Sequence, residues 1–406
     1  MSADRTHTLL VTGGGGSGRT TVAAATALAA ARRGRRTLLL SDEDPGVLDG
    51  LLGPEAGPRV VRIDSGADFR LRAAALQERS RTALDLLGAE PLDDDELAEP
   101  PGADALALLG AVRAAHTPGH PTAGYDLVVV DMPPAEQAVR TLAAPEQLRR
   151  WLRRLLPPER QAARALRPVL AQLAGVPMPA RSLYEAAGRL DRELAAVQEV
   201  ITAPETAVRL VTDPGPAAVR ALRAVRAGLA LHGLAVDAVV ANRLLPATSS
   251  DSWLASLAAR QQEALKTLLD ECPADGAAVC ELPHLGRDPA GPEDLDGLGG
   301  RILPDPLRGA GEPGAADRAV REPWTVEDRL AGDGVLVWRL PLPGAVKKSL
   351  TLVRRGDEVI VTTGPFRRAL PLPAVLRRCT VAGARLSGGE LAVRFEPEPG
   401  LWPGED

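Results

Sequence analysis

The chain has 406 residues, 45% of them apolar but only 2% aromatic, so it is long enough for two domains, and the larger core must be aliphatic. A net charge of −5 argues against a general nucleic-acid-binding surface. Three cysteines, Cys272, Cys280 and Cys379, form no C-x-x-C pair, which fits buried or incidental thiols in a reducing cytosol rather than a zinc clip.

The first strand is expected by Thr8, leaving no room for a signal peptide, and no apolar run reaches the ~18 residues of a membrane span. These features predict a cytoplasmic protein. The run Leu9-Leu10-Val11 leads into Gly13-Gly14-Gly15-Gly16-Ser17-Gly18-Arg19-Thr20-Thr21. Strand, glycine-rich turn and helix opening outline a phosphate-cradling loop. The pattern G-x-x-x-x-G-K-[ST] is met at Gly13, Gly18 and Thr20, with Arg19 in the lysine position. Glycines let backbone N–H groups turn inward around a phosphate, the helix N-terminus adds partial positive charge, and the Thr20 hydroxyl is a Mg²⁺ ligand candidate. Lysine is scarce (Lys266, Lys347 and Lys348 only), so Arg19 is compatible with a drift in base composition as well as with selection.

A helix is expected over Thr21–Arg33, stopping at Gly34, then a buried strand over Arg36–Ser41 running into Asp42-Glu43-Asp44-Pro45-Gly46. This is a βαβ opening. A short strand near Val60–Ile63, a helix over Phe69–Leu87, an acidic surface loop over Pro91–Gly102 and a helix over Asp104–Ala115 follow. Tyr125–Asp131 is the clearest buried strand, and it ends in an aspartate where phosphate-loop ATPases place the acidic group on the Mg²⁺ side. Ala135–Glu199 reads as helical, broken at Pro157-Pro158 and Pro177–Pro179. Its arginines, Arg149, Arg150, Arg153, Arg154, Arg160, Arg164 and Arg167, suit a solvated face or a membrane or acidic-partner surface. Strands at Ala207–Thr212, Val236–Ala241 and Ala277–Leu282 alternate with helices at Pro216–Leu231, Ser252–Leu269 and Glu293–Leu303. His284 has no paired ligand in sequence and reads as a surface residue.

Pro304–Pro323 is Pro/Gly-rich and reads as linker. Beyond it the period changes to two, with short runs at Val335–Leu340, Ser349–Arg354, Glu358–Thr362, Phe366–Leu370, Cys379–Ala382, Ala384–Leu386 and Leu391–Phe395. That pattern predicts a small β-sandwich.

The first 300 residues resemble the ArsA-type ATPase family, which includes the arsenite-pump ATPase and the ATPase that targets tail-anchored membrane proteins. The family's loop, G-K-G-G-V-G-K-T-T, is matched over Gly13–Thr21. Its first switch, D-P, is matched by Asp44-Pro45. Its second, D-T-A-P-T-G-H, lies against Asp131-Met132-Pro133-Pro134-Ala135-Glu136-Gln137, and its base-reading asparagine against Asn242. The final strands resemble the small-heat-shock-protein-like domain of some bacterial members, opening at Trp338–Gly344. MinD/ParA-type ATPases share the loop, but the Asn242 segment and the appended strands favour the ArsA type.

The resemblance implies an α/β phosphate-loop NTPase over 1–303, with a mainly parallel sheet, helices on both faces and a helical subdomain at about 135–200. A linker over 304–330 and an all-β sandwich over 331–400 complete it. It implies ATP and Mg²⁺ as ligands. Gly13, Gly14, Gly15, Gly16, Ser17, Gly18, Arg19, Thr20 and Thr21 would hold the phosphates, Asn242 the adenine, and Thr20 and Asp131 the metal, with Asp44 and Arg19 catalytic. Both family lysines are replaced, by Gly14 and Arg19, and Glu136-Gln137 stand where the second switch has glycine and histidine. Arginine is not a conservative exchange at a tight phosphate site. The expectation is a weak ATPase that couples nucleotide state to a client or a membrane-associated partner, working as a homodimer or as a heterodimer with a related ATPase. The alternative is a non-hydrolysing scaffold or regulatory subunit.

Overall fold

Apolar strand runs with no polar alternation need cover on both faces, and the chain supplies it with helices between successive strands. The structure, a computed structural model, describes residues 6–54, 57–79, 81, 90–156, 181–302 and 324–398. These fall into two compact units. One takes in residues up to 62, 124–139 and from 203 onward, and the other 63–123 and 140–202.

The first unit is organised by a seven-stranded parallel sheet. Its strands in chain order are β1 (His7–Gly13), β2 (Thr37–Ser41), β3 (Arg59–Arg62), β4 (Leu127–Asp131), β5 (Thr206–Thr212), β6 (Val236–Leu244) and β7 (Ala278–Pro283). They lie side by side as β3-β2-β4-β1-β5-β6-β7, with β1 in register between β4 and β5. Consequently the loop after β1 has the end of β4 on one flank and β5, then β6, on the other.

Helix α1 (Arg19–Arg32) has alanine at six of the nine buried positions from Val22 to Ala30, which lets it sit close to the sheet and to α9 (Gly291–Gly299). A Cβ on Gly299 would lie 2.8 Å from the Ala25 carbonyl oxygen, so this helix contact needs glycine. The fully buried Arg209 of β5 is neutralised by an ion pair with Asp237 at the start of β6.

The expected fold class is the observed one, and the differences are local. Asp42–Gly46 is more than a loop: Asp44 caps a short helix, α2 (Pro45–Leu52), accepting from the Gly46 N–H at 2.8 Å with Pro45 in the first helical position. The helix expected from Phe69 begins four residues earlier as α3 (Ser65–Arg79), because the Asp64 carboxylate accepts from the Ala67 N–H at 2.9 Å. Residues 80 and 82–87 of that expected helix lie outside the described residues.

The second unit is helical and draws on two segments: α3 and α4 (Ala103–His116) from the first, and most of α5 (Ala135–Leu155) with α6 (Arg181–Thr202) from the second. Within it, Arg149 donates to Asp191 at 3.0 Å and to Gln198 at 2.9 Å, while Arg153 and Arg154 are exposed. Arg160, Arg164, Arg167 and both proline breaks lie outside the described residues. Among those described, no helix is long and apolar enough to cross a membrane.

After β7 and α9, two antiparallel sheets follow in the first unit. The three-stranded one is β10 (Leu350–Arg355), β11 (Glu358–Thr363) and β12 (Phe366–Pro371). The four-stranded one has the order β13 (Cys379–Ser387), β14 (Glu390–Pro397), β9 (Val335–Pro341), β8 (Thr325–Arg329). Strand β8 lies in the stretch read as linker; Pro304–Pro323 itself is outside the described residues. The two short runs expected around Gly383 are one strand, β13, with a register slip between Val381 and Gly383. Trp338 is fully buried, edge-on to Trp324 and to Phe395 at centroid separations of 5.9 and 6.4 Å.

These strands rest on α7 (Pro216–Leu231). Gly228 leaves room for the Phe366 ring, Gly344 lies over the Arg223 backbone, and Arg368 Nη1 donates to the Leu231 carbonyl at 2.8 Å.

Candidate functional site

The glycine run closes a tight strand-to-helix turn. A Cβ on Gly13 would overlap the Val211 carbonyl of β5, and the Gly14 N–H donates to that same oxygen at 3.3 Å. Inside the loop, the Ser17 N–H and hydroxyl both bond the Gly14 carbonyl, at 3.2 and 2.8 Å. Gly16 and Gly18 take φ of 73° and 90°, the left-handed region that favours glycine. The N–H groups of Gly15, Gly16 and Gly18 donate to nothing among the described residues, and the first-turn N–H groups of α1 carry the donors that every helix start leaves over. This is a nest of donors at the positive end of a helix, built to receive an anion.

The β4 flank brings the acid. Asp131 pairs in register with Val11 and is 3% exposed. Its Oδ2 accepts from the Ser41 hydroxyl at 2.9 Å, and Ser41 Oγ in turn accepts from the Glu43 N–H at 3.1 Å. Its Oδ1 is buried with no hydrogen-bond partner among the described residues. Burial pushes this carboxyl up to about 6, against the Thr20 and Ser41 hydroxyls and the Arg19 charge, which pull it down.

A buried, orphaned carboxylate oxygen beside a helix-start threonine fits a hydrated Mg²⁺, which takes one or two protein oxygens and fills its remaining positions with water and phosphate. Among the described residues no group of three or more His, Cys, Asp or Glu forms a metal cage. Three bonds fasten the segment after Asp131 to the loop's own strand and helix: Met132 N–H to the Val11 carbonyl, the Thr12 hydroxyl to the Pro133 carbonyl, and Arg19 Nη1 to the Met132 carbonyl.

The β6 flank brings amide and guanidinium. Asn242 is 7% exposed, and its Nδ2 donates to the Ser17 carbonyl at 2.8 Å, in space that a side chain on Gly18 would fill. Arg243 Nη1 donates to the Gly16 carbonyl at 2.6 Å. A groove beside the loop is lined by Gly18, Thr21, Asn242, Arg243, His284 and Leu285, among others.

The fold therefore brings Gly13–Thr21, Asp131 and Asn242 to one end of the sheet. Asp44 follows β2, two strands from β1, and its carboxylate is exposed and engaged in capping α2. Arg19 is directed at the Met132 carbonyl. Glu136 and Gln137 are exposed at the start of α5. His284 is exposed, its Nδ1 accepting from the Gly286 N–H at 2.8 Å. Three participants escaped the sequence reading: Thr12, Ser41 and Arg243. Ser41 had a usable signal, as the terminal polar residue of a buried strand next to one ending in aspartate. Nothing in the local pattern marked Thr12 or Arg243.

The sequence profile described as anion-transporting ATPase matches residues 6–303, and that of the HSP20-like domain found in ArsA matches 333–395. An uncharacterized Streptomyces coelicolor protein is 54% identical over 86% of this chain and 84% of its own length. A putative arsenical pump-driving ATPase of Aquifex aeolicus is 25% identical over 74% of this chain and 73% of its own. A Mycobacterium tuberculosis protein is 33% identical over 69% of this chain and 65% of its own.

Proposed function

Because this chain belongs to the anion-transporting ATPase family, we propose that it binds ATP with Mg²⁺ at the β1–α1 loop, hydrolyses it slowly, and uses nucleotide state to govern partner binding. The observation that carries this reading is the Asp131 Oδ1, buried with no partner among the described residues, beside a loop in which the Gly15, Gly16 and Gly18 N–H groups are unspent. Thr20 and Asp131 would hold the metal, Gly13–Thr21 the phosphates, and Asn242 with its groove the adenine. When bound, Mg²⁺ neutralises phosphate charge and orients the terminal phosphoryl group.

Slow turnover follows from the cations. The loop offers no side chain at Gly14, and Arg19 must release the Met132 carbonyl before it can meet a phosphate. One cationic group at a transferring phosphoryl is worth about 10³–10⁵ in rate, so this arrangement keeps binding and weakens chemistry. Asp44, the candidate to orient the attacking water, must likewise give up its cap on α2. The same observations favour a second reading, a non-hydrolysing scaffold or regulatory subunit. In either case the functional unit would be a homodimer or a pair with a related ATPase that supplies the missing lysine. The client would be a protein or a membrane-associated partner in the cytoplasm. The soft thiols here, Cys272, Cys280 and Cys379, are each buried, which gives no support to the arsenical role in the Aquifex relative's name.

Calorimetric titration of the full chain with ATP, with and without Mg²⁺, tests the binding, and phosphate release tests the turnover. Mg²⁺-dependent binding with slow release supports the first reading. Binding with no release above background selects the scaffold, and no binding at millimolar ATP overturns both.

A further inference from the structure

Arg243 is the only non-glycine among the described residues with a positive φ, 58°. Such a backbone is strained for a long side chain and persists only where its surroundings enforce it. The surroundings here are explicit. The β6–β7 pairing slips between Ala241 and Leu244, so Asn242 and Arg243 bulge out of the ladder. Gln261 of α8 (Ser252–Glu271) braces the bulge: its Nε2 donates to the Arg243 carbonyl at 3.1 Å, and its Oε1 accepts from the Leu245 N–H at 2.8 Å. The outcome of that strain is geometric. Two successive bulge residues, Asn242 and Arg243, hold two successive loop carbonyls, Ser17 and Gly16.

Peptide units are rigid, so turning a carbonyl outward turns the N–H of the following residue inward. Fixing the Gly16 and Ser17 carbonyls from outside therefore aims the Ser17 N–H at the Gly14 carbonyl, which it meets at 3.2 Å, and turns the Gly18 N–H toward the loop interior. A glycine run would otherwise sample many conformations.

We infer that Arg243 is a positioning residue for the phosphate loop: from the β6 bulge its guanidinium holds the Gly16 carbonyl and so presets the loop for a β-phosphate. The inference rests on the nucleotide-site reading above for its ligand, but the holding of the loop itself does not. In a loop with glycine and arginine where relatives have lysines, such a backbone preset carries more of the phosphate binding.

Arg243→Gly removes the guanidinium while keeping a residue that accepts φ near 58°, so it tests the contact without adding strain. Arg243→Lys keeps a cation of similar reach. Two readouts are needed on the full chain: amide hydrogen exchange of residues 13–20 without nucleotide, and ATP and ADP affinities by calorimetry. Arg243→Gly is expected to speed exchange in that segment and to weaken ATP and ADP alike by about tenfold, with Arg243→Lys recovering part of both.

Unchanged exchange with unchanged affinity overturns the inference. A loss for ATP that spares ADP also overturns it, because Arg243 would then act on the terminal phosphate directly. Faster exchange in a protein that binds no nucleotide even as wild type sinks the nucleotide reading and leaves the loop-holding role standing.

Discussion

The two flanks of the glycine loop are built from different chemistry. On the β4 side lie a buried carboxylate with an orphaned oxygen, two hydroxyls and a guanidinium spent on a backbone carbonyl. On the β6 side lie an amide and a second guanidinium, both donating to loop carbonyls. On the β4 flank, burial pushes the Asp131 carboxyl up to about 6. The β4 flank is thus where charge is managed and the β6 flank where shape is managed. Substitutions on the two sides should fail in distinguishable ways.

The largest separation is expected from Asp131→Asn. Losing the buried acid at the proposed metal position should cut any turnover on the order of 10²-fold or more and abolish any Mg²⁺ dependence of ATP binding. Stability should move the other way. Burial pushes the folded carboxyl up to about 6 from its ordinary value of 3.8, so the native state holds its proton more tightly than the unfolded chain. The stabilisation from that proton is complete below about pH 4 and is lost as pH rises through 6. At pH 8 the variant should unfold later in urea than wild type, by roughly 2 kcal/mol, with the two converging near pH 4. An equal or lower midpoint at pH 8 would mean that burial does not strain this carboxylate.

Restoring the missing cations is the next test of the β4 flank. A Cβ on Gly14 finds nothing nearer than the Ser17 Cβ at 4.0 Å, and Gly14 is not in the left-handed region, so the backbone there accepts a side chain. Gly14→Lys with Arg19→Lys should raise phosphate release by one to three orders of magnitude while ATP affinity changes by less than about tenfold. A tighter complex with no gain in release would place the defect elsewhere, with Asp44 on its cap as the first suspect.

Gly18→Ala strikes the β6 flank. The added Cβ meets the Asn242 amide, at φ of 90°. Displacing Asn242 while straining the backbone should cost about 1–3 kcal/mol and weaken ATP about tenfold, at any pH between 5 and 8. A pH-dependent loss would show that the two flanks are coupled rather than separate.

How much of this was legible beforehand follows the same division. The parallel sheet, the loop and Asp131 were readable, because continuous apolar runs, glycine spacing and a strand-end acid are local signals. The α2 helix was missed because its cap, Asp44, sits in an acidic Pro/Gly string that scans as loop. Strand β8 was missed because five residues flanked by a Pro/Gly-rich stretch show too little alternation. The roles of Thr12, Ser41 and Arg243 depend on partners 90 to 227 residues away, which no local pattern reports. Arg19 was readable as a cation at the lysine position, but its attachment to the Met132 carbonyl 113 residues on was not.

Ser41 gives the smallest expected effect and the finest test of the charge-managing flank. Its hydroxyl donates to Asp131 Oδ2, and its oxygen accepts from the Glu43 N–H, so it links the carboxylate to the segment that leads into Asp44. Ser41→Ala removes a donor that holds the Asp131 value down, so that carboxyl should titrate higher than in wild type, and the pH at which Mg²⁺–ATP binding half-develops should rise with it. Above that pH the carboxylate is ionised in both proteins, and ATP affinity should differ by only about threefold, the worth of one hydrogen bond. A midpoint that stays in place while affinity falls uniformly would assign Ser41 to the shape of the site and blur the division between the flanks. A midpoint that climbs with little loss at high pH would locate the pH response of this protein in a single serine-backed carboxylate.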